Sequence, residues 1–177
     1  MLAVRDLHYA WPGAGGECLA IERLDIAEVL RGQLEFYRGQ AERLAVGLAL
    51  EVEPGDATVN ADRGDLDRVF MNLISNGIKY NRQGGTLTVS VDPRPDHVEI
   101  RFADTGIGMS EAEQAGLFQE FYRAHNARTQ GISGTGLGLA TVRRVLAAAN
   151  GRIDVRSAPG EGSTFTVTLP RGGAPEG

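Results

Sequence analysis

Residues 72–80 read NLISNGIKY and lie in a run whose apolar positions repeat with the period of an α-helix. One side of this helix is apolar and is expected to pack on a sheet: Leu66, Phe70, Leu73, Ile74 and Ile78. Another side carries Asn72, Asn76, Lys79 and Tyr80. Amide oxygens can bind a hard cation such as Mg²⁺, a lysine can bind phosphate, and an aromatic ring can cover a base. A solvated helix face is the alternative interpretation of such a stripe taken alone.

The composition is that of a soluble globular chain. Its 177 residues have a net charge of −5, which argues against nucleic-acid binding over a broad basic surface. Cys18 is the single cysteine and cannot form an intrachain disulfide. The chain has no signal-peptide pattern and no apolar run long enough to span a membrane. We therefore expect a cytoplasmic chain without membrane contact of its own, even where a parent protein is membrane-anchored.

Periodicity and turn residues predict the order of the elements. Helices are expected at 25–44, at 63–80, after an N-cap at Ser110 with a capping box to Glu113, and at 135–150 before a left-handed cap at Asn150. Strands are expected at 46–53, 58–62, 86–92, 97–104, 152–158 and 163–169. This order predicts an α+β fold with two layers: a mixed, mostly antiparallel sheet of about five strands covered on one face by about three helices.

Two glycine-rich loops accompany the helix. DTGIGM (104–109) directly follows a predicted strand, and GISGTGLGL (131–139) opens the last long helix. Glycines before a helix let backbone N–H groups approach a phosphate. A dinucleotide-binding βαβ unit is disfavoured because the polar RAHNARTQ (123–130), and not a strand, precedes the second loop. Two flexible turns are the alternative.

These segments in this order resemble the ATP-binding catalytic domain of bacterial sensor histidine kinases, in the superfamily that includes gyrase, Hsp90 and MutL. NLISNGIKY resembles the N box, DTGIGM the first glycine box, FQEFYR (118–123) the F box and GTGLGL (134–139) the second glycine box. GEGSTFTVTLP (160–170) resembles the closing strand of the domain. The resemblance covers residues 21–171 and implies a Bergerat-type ATP-binding fold.

The resemblance also implies the cofactors ATP and Mg²⁺ and roles for individual residues. Asn76 would hold Mg²⁺, Lys79 would contact phosphate, Tyr80 would flank the adenine, and Asp104 would accept a hydrogen bond from the adenine amino group. Asn72, Lys79 and Arg123 would be the catalytic residues. The implied nucleotide-binding set is Asn72, Asn76, Lys79, Tyr80, Asp104, Gly106, Ile107, Gly108, Arg123, Gly134, Thr135, Gly136, Leu137, Gly138 and Leu139.

The resemblance also implies roles for three loop segments. Gly106 and Gly108 would let the backbone approach the base, and the glycines of 134–138 would wrap the phosphates. Residues 123–133 would form a lid that is poorly ordered until ATP binds, because this segment has few apolar anchors.

Position 72 distinguishes branches of the family. ATP-hydrolysing relatives and anti-sigma serine kinases carry glutamate there, which can take a proton, whereas the amide of Asn72 cannot. This favours the histidine-kinase branch and very slow ATP hydrolysis. A regulatory module that holds nucleotide without phosphotransfer and a serine kinase are the alternative functions.

The phosphate acceptor is expected outside this chain. None of His8, His97 and His125 lies in the family's acceptor pattern, so the isolated domain should not autophosphorylate. Its partners would be ATP or ADP, the dimerisation and phosphoacceptor helical hairpin of a parent kinase, and a response regulator. Residues 1–20 would be a remnant or linker of that hairpin, 21–171 the catalytic domain and 172–177 a flexible tail.

Several positions depart from the family pattern, two of them near Asn76; Ala149-Asn150 also replace the common His-Gly near the end of the last helix. Gly77 replaces the usual alanine after Asn76, and Asn81 replaces the usual threonine after Tyr80. If position 77 is an ordinary helix position, Gly77→Ala is expected to raise stability by up to about 1 kcal/mol. Destabilisation would instead mean that the missing methyl group makes room for another group.

Overall fold

Five strands form the central sheet, in the order β2-β4-β5-β7-β6. The computed structural model describes residues 20–123 and 135–172. The strands are β1 (Ile21–Asp25), β2 (Gly47–Val52), β3 (Thr58–Asp62), β4 (Thr86–Pro93), β5 (His97–Asp104), β6 (Arg152–Ala158) and β7 (Gly162–Pro170). The helices are α1 (Ile26–Arg43), α2 (Arg63–Lys79), α3 (Glu111–Gly116) and α4 (Gly138–Ala148).

The sheet is mixed, as predicted. β2 and β4 are parallel, with Gly47 opposite Thr86, whereas β4, β5, β7 and β6 pair antiparallel in succession. The apolar side of these strands faces the helices, with Leu87, Ile100 and Val167 fully buried. The α+β architecture with helices packed on one face is therefore confirmed.

One strand was not predicted. β1 pairs antiparallel with β3 in a separate two-stranded sheet, with Leu24 opposite Val59. Its five residues IERLD are too short to show a period-two pattern, since Leu24 is the one buried member. Asp25 ends β1 and also caps α1, where its carboxylate accepts hydrogen bonds from the backbone N–H of Ala27 and Glu28.

Helix α2 forms where its caps and apolar positions predict it. The carboxylate of Asp62 accepts a hydrogen bond from the backbone N–H of Asp65 at 2.9 Å, and this contact caps the N-terminus. The predicted apolar side is buried, since each of its members is 1% exposed or less: Leu66, Phe70, Leu73, Ile74 and Ile78. The ring centroid of Phe70 lies 5.9 Å from that of Phe102 on β5, so this side of α2 packs on the sheet.

Two predicted helix ends are also present. Ser110 and Glu113 form the reciprocal capping box at the start of α3. Asn150, just after α4, has φ of 54° and so adopts the left-handed conformation expected there. Within the two described ranges, no helix is both long enough and apolar enough to cross a bilayer. The predicted linker at 1–20 and tail at 172–177 lie almost entirely outside those ranges.

Candidate functional site

A cavity of about 240 Å³ lies between the polar side of α2, the loop after β5, the start of β7 and the start of α4. The residues that line it are Asn72, Ser75, Asn76, Lys79, Tyr80, Asp104, Ile107, Gly108, Met109, Leu117, Tyr122, Arg123, Thr135, Gly136, Gly138, Leu139, Ser163 and Phe165. The polar side of α2 therefore lines an open cavity, and its residues are only partly exposed.

Most of the predicted site residues meet in this cavity. Of those that the structure describes, all line it except Gly106 and Leu137. Gly134 and nearly all of the predicted lid lie outside the described residues. The cavity thus brings together predicted residues from segments that are up to 67 positions apart, Asn72 to Leu139.

Asp104 is the carboxylate of the cavity. Its Oδ1 accepts hydrogen bonds from the backbone N–H of Gly106 at 2.8 Å and of Ser163 at 3.2 Å. Burial raises the pKa of this carboxyl to about 6, against the lowering effect of those two hydrogen bonds. Within the described residues Oδ2 has no hydrogen-bond partner, so this side of the carboxylate can accept a hydrogen bond from a ligand.

Two cations border the same cavity. Burial lowers the pKa of Lys79, and the nearby positive charge of Arg123 lowers it further. The Nζ of Lys79 also lies 5.2 Å from the ring centroid of Tyr80. A site in which two cations repel each other is suited to an anionic ligand, because an anion would relieve this repulsion. In the described ranges no cluster of three or more histidine, cysteine or acidic side chains is placed to hold a metal ion.

Asn72 lies against the start of α4. Its Nδ2 donates a hydrogen bond to the carbonyl oxygen of Arg68 at 2.8 Å. A Cβ on Gly138 would overlap the Oδ1 of Asn72, so a larger residue at 138 would require the Asn72 side chain to shift. Gly136 has φ of +75°, and its carbonyl oxygen accepts a hydrogen bond from the backbone N–H of Phe121 at 3.0 Å.

The glycines of the loop after β5 contact protein backbone. A Cβ on Gly106 would overlap the carbonyl oxygen of Tyr80, and a Cβ on Gly108 would overlap that of Ala158. The backbone N–H of Ile107 donates to the same carbonyl of Tyr80 at 3.0 Å. These glycines therefore let the loop pack tightly between the end of α2 and the β6–β7 turn. In this position Gly108 also lines the cavity, whereas Gly106 does not.

Six lining residues were not predicted: Ser75, Met109, Leu117, Tyr122, Ser163 and Phe165. Ser75 follows Asn72 by three positions, so helical spacing was sufficient to find it. Ser163 holds Asp104 through its backbone, and its Oγ lies 2.9 Å from that of Ser157. The contacts of Ser163 depend on the pairing of β7 with β5 and β6, which no local pattern shows.

Gly77 and Asn81, which depart from the family pattern, lie together at the end of α2. The Nδ2 of Asn81 donates to the carbonyl oxygens of Gly77 and Thr86, both at 2.9 Å, and its Oδ1 accepts from the Oγ1 of Thr105 at 3.2 Å. A Cβ on Gly77 would lie 2.6 Å from the Cδ1 of Leu87, which is fully buried. Position 77 is therefore not an ordinary helix position: the missing methyl group makes room for Leu87.

Comparison with known proteins agrees with this geometry. Residues 61–173 match the family of histidine kinase-, DNA gyrase B- and HSP90-like ATPases. The sensor histidine kinase AtsR of Burkholderia thailandensis is 35% identical over 151 residues, which are 83% of this chain and 25% of that protein. The sensor-like histidine kinase SenX3 of Mycolicibacterium smegmatis is 33% identical over 156 residues, 88% of this chain and 40% of that protein. This chain thus spans less than half the length of these relatives.

Solved structures show the same fold. The catalytic domain of the histidine kinase ThkA superposes with a TM-score of 0.75 at 20% identity, covering 85% of this chain and 97% of that domain. The mycobacterial sensor histidine kinase MprB superposes with a TM-score of 0.72 at 28% identity, also covering 85% of this chain and 97% of that chain. This chain belongs to the histidine kinase-, DNA gyrase B- and HSP90-like ATPase family, and within that family it is similar to the ATP-binding domains of sensor histidine kinases.

Proposed function

We propose that the cavity binds Mg-ATP and that the domain donates the γ-phosphate to a histidine on a separate phosphoacceptor segment. The observation that carries this proposal is the charge distribution of the cavity, which combines one partly buried carboxylate, Asp104, with two cations, Lys79 and Arg123. Adenine offers an amino donor to the carboxylate, and a triphosphate offers anionic oxygens to the cations.

The adenine is assigned to the Asp104 end of the cavity. The Oδ2 of Asp104 is available for the amino group, while Oδ1 is occupied by the backbone N–H groups of Gly106 and Ser163. The apolar side chains of Ile107 and Phe165 line the same space and suit the faces of a flat base. The two backbone hydrogen bonds fix the carboxylate, so it need not reorient when a base binds.

The phosphates are assigned to the end lined by Lys79, Arg123, Gly136 and Gly138. Gly136 and Gly138 line this end of the cavity at the start of α4, where the helix dipole favours an anion. Asn76 presents an amide oxygen from the same side of α2 and would hold Mg²⁺. The metal would supply electrostatic stabilisation of the transferring phosphoryl group.

The transfer itself requires no carboxylate base at position 72. The P–O bond to the β-phosphate breaks while a P–N bond forms to a neutral imidazole nitrogen, and ADP leaves. Lys79 and Arg123 stabilise the charge on the transferring group. Attack by water, by contrast, needs a proton acceptor, and the amide of Asn72 cannot serve as one. The proposal therefore includes slow ATP hydrolysis.

The partners of this reaction are proposed from the relatives. The structural neighbours include the full-length kinase ShkA with AMPPNP, at 27% identity and a TM-score of 0.76, and ThkA in complex with the response regulator TrrA. For this chain we propose a helical phosphoacceptor hairpin and a response regulator as the corresponding partners. Residues 21–171 would act as the catalytic unit and residues 1–20 as a connection to the hairpin.

Replacing Asn76 tests the metal assignment. We expect Asn76→Ala to weaken Mg-ADP binding by about tenfold, because one metal ligand is lost. Calorimetric titration with ADP in the presence and in the absence of Mg²⁺ measures the effect. The ADP affinities of the wild type and of Asn76→Ala should differ only when Mg²⁺ is present. Asn60→Ala, which changes an asparagine of β3 outside the cavity, is the matched control. Equal Mg²⁺ dependence in the two variants would contradict the assignment.

A trans-phosphorylation assay separates catalysis from binding alone. A purified helical hairpin from a histidine kinase, incubated with this chain and γ-labelled ATP, should become labelled on histidine. Nucleotide binding without labelling of any supplied hairpin would favour a regulatory nucleotide-binding module. Fast release of free phosphate without a hairpin would favour an ATPase.

Nucleotide affinity is expected to fall as the pH falls through about 6. The carboxyl of Asp104 has a pKa of about 6, and its ionised form accepts the stronger hydrogen bond from the adenine amino group. Well below this pH, binding must displace a proton, so the affinity should decrease by up to about tenfold per pH unit. Titration with ADP between pH 5 and 8 checks this, and a flat profile would show that Asp104 does not contact the base as a carboxylate.

A further inference from the structure

The edge of the sheet at β2 has the features of an interface. In the described part of the chain β2 has a neighbour on one side only, the parallel strand β4. Strand edges of this kind are normally protected by charges, proline or a bulge. β2 reads GLALEV, and its sole charge, Glu51, lies on the opposite face from Leu48, Leu50 and Val52.

Its free backbone groups are regularly placed. The N–H of Gly47 donates to the carbonyl of Gly85, and the N–H of Glu53 donates to that of Val91, both at 2.9 Å. Because successive residues of a strand alternate, the N–H and C=O groups of Leu48, Leu50 and Val52 point away from β4. A second strand could therefore pair with β2 through these three residues.

A groove between this edge and α1 carries a regular charge pattern. It is bordered on the β2 side by Leu48, Leu50 and Val52, and on the α1 side by two glutamates and two arginines that alternate in sign: Glu28, Arg31, Glu35 and Arg38. Gly32 lies in the same row, and a Cβ there would meet nothing within 4 Å. Val52 is 42% exposed, which is high for a valine in a strand.

This charge pattern is self-complementary under a two-fold rotation. Arg31 and Glu35 lie two residues on either side of position 33, and Glu28 and Arg38 lie five residues on either side of it. In an antiparallel pair of α1 helices centred there, each arginine therefore faces a glutamate. The same rotation centred on Leu50 would place Leu50 opposite its own copy and Leu48 opposite Val52.

The two centres lie at similar distances from the turn that joins α1 to β2. Only residues 44–46 connect these two elements, which pack on each other, so the chain reverses direction between them. Position 33 lies about 15 Å back from the end of α1, and Leu50 lies about 10 Å along β2. One two-fold axis perpendicular to the sheet can thus relate both the strands and the helices of two copies.

We infer that α1 and the β2 edge form a self-association surface, on which a second copy of this chain extends the sheet by antiparallel β2–β2 pairing. The pairing would form about six backbone hydrogen bonds, bury the apolar row of β2 and align the charges of the two α1 helices. The exposed ion pair between Arg38 and Glu35, at 2.6 Å, is of a kind that contributes little to stability and can exchange for contacts to the other copy. This surface is independent of the nucleotide cavity.

A charge-swap experiment tests this inference. Arg31→Glu places glutamate opposite Glu35 of the second copy, and Glu35→Arg places arginine opposite Arg31. We expect sedimentation equilibrium of the full chain to show a concentration-dependent dimer whose Kd rises by about tenfold or more in each single variant. An equimolar mixture of the two variants should recover the dimer as a heterodimer, and the double variant should recover the homodimer.

The controls make each outcome decisive. Arg152→Glu is a matched reversal on the far edge strand β6 and should leave the dimer unchanged. Unchanged nucleotide binding in Arg31→Glu and Glu35→Arg would show that the variants are folded. A wild-type chain that stays monomeric at every concentration overturns the inference, whether the edge is free or covered by another segment or partner. A dimer that both single variants retain at wild-type Kd also overturns it, since it would use another surface.

Discussion

Asp104→Asn is expected to weaken nucleotide binding and stabilise the fold at the same time. Asparagine retains an oxygen that can accept the N–H bonds of Gly106 and Ser163, so the loop after β5 should keep its position. The amide, however, presents either a neutral oxygen or a donor to the adenine amino group. Loss of a charge-assisted hydrogen bond at a partly buried site is expected to lower the affinity for ADP by about a hundredfold.

The stabilisation follows from the raised pKa. The pKa of an aspartate in the unfolded chain is near its ordinary value of 3.8, whereas burial raises the pKa of Asp104 in the folded domain to about 6. The contribution of Asp104 to the free energy of unfolding is therefore fully present below the unfolded pKa and is lost as the pH rises through the folded pKa. Above pH 6 the ionised carboxylate destabilises the fold by about 1–3 kcal/mol. The asparagine variant has no charge at this position and lacks this destabilisation.

Urea denaturation of both proteins between pH 4 and 8, paired with ADP titration at pH 8, measures both effects. The difference in the free energy of unfolding should grow from pH 4 to 6 and stay constant above it. Asp154→Asn changes an exposed aspartate on β6 and should alter neither quantity. A variant that binds ADP as wild type does, or one that is less stable than wild type at pH 8, would contradict the role proposed for Asp104.

The sequence predicted the elements well because their signals are local. The apolar period of α2, the capping box at Ser110 and the left-handed residue at Asn150 are each decided by residues within one or two turns. The strand β1 was missed because its partner β3 lies 33 or more residues away, and its own five residues show no pattern. The edge position of β2 likewise depends on the order of the whole sheet.

The site was predictable to the extent that helical geometry and ordered motifs determine it. The side of α2 that carries Asn72 and Asn76 follows from 100° per residue, and it does face the cavity. Gly106 and Gly108 were expected to let the backbone approach the base, and their close contacts with the carbonyls of Tyr80 and Ala158 were not predicted. Such contacts join segments that are distant in sequence, and only the folded chain reveals them.

Gly77→Ala provides the sharpest test of such a long-range contact. Helix propensity alone favours alanine by about 1 kcal/mol. The new Cβ, however, would lie 2.6 Å from the Cδ1 and 3.0 Å from the Cδ2 of Leu87, which is fully buried on β4. Overpacking of this kind costs about 1–3 kcal/mol. A shift of the backbone at position 77 would also disturb the hydrogen bonds by which Asn81 joins Gly77 to Thr86. We expect a net loss of about 1–2 kcal/mol.

Gly32→Ala is the matched control, because this exposed α1 glycine would have nothing within 4 Å of its Cβ. It should gain up to about 1 kcal/mol, so urea denaturation should separate the two glycine variants by about 2–3 kcal/mol. Leu87→Ala alone should cost about 2–5 kcal/mol. In the double variant the added methyl group occupies part of the space that Leu87 vacates. The loss of stability in the double variant should therefore be smaller than the sum of the two single-variant losses, by about 1 kcal/mol or more. Strict additivity, or stabilisation by Gly77→Ala alone, would show that Leu87 moves aside freely and that glycine at position 77 has another cause.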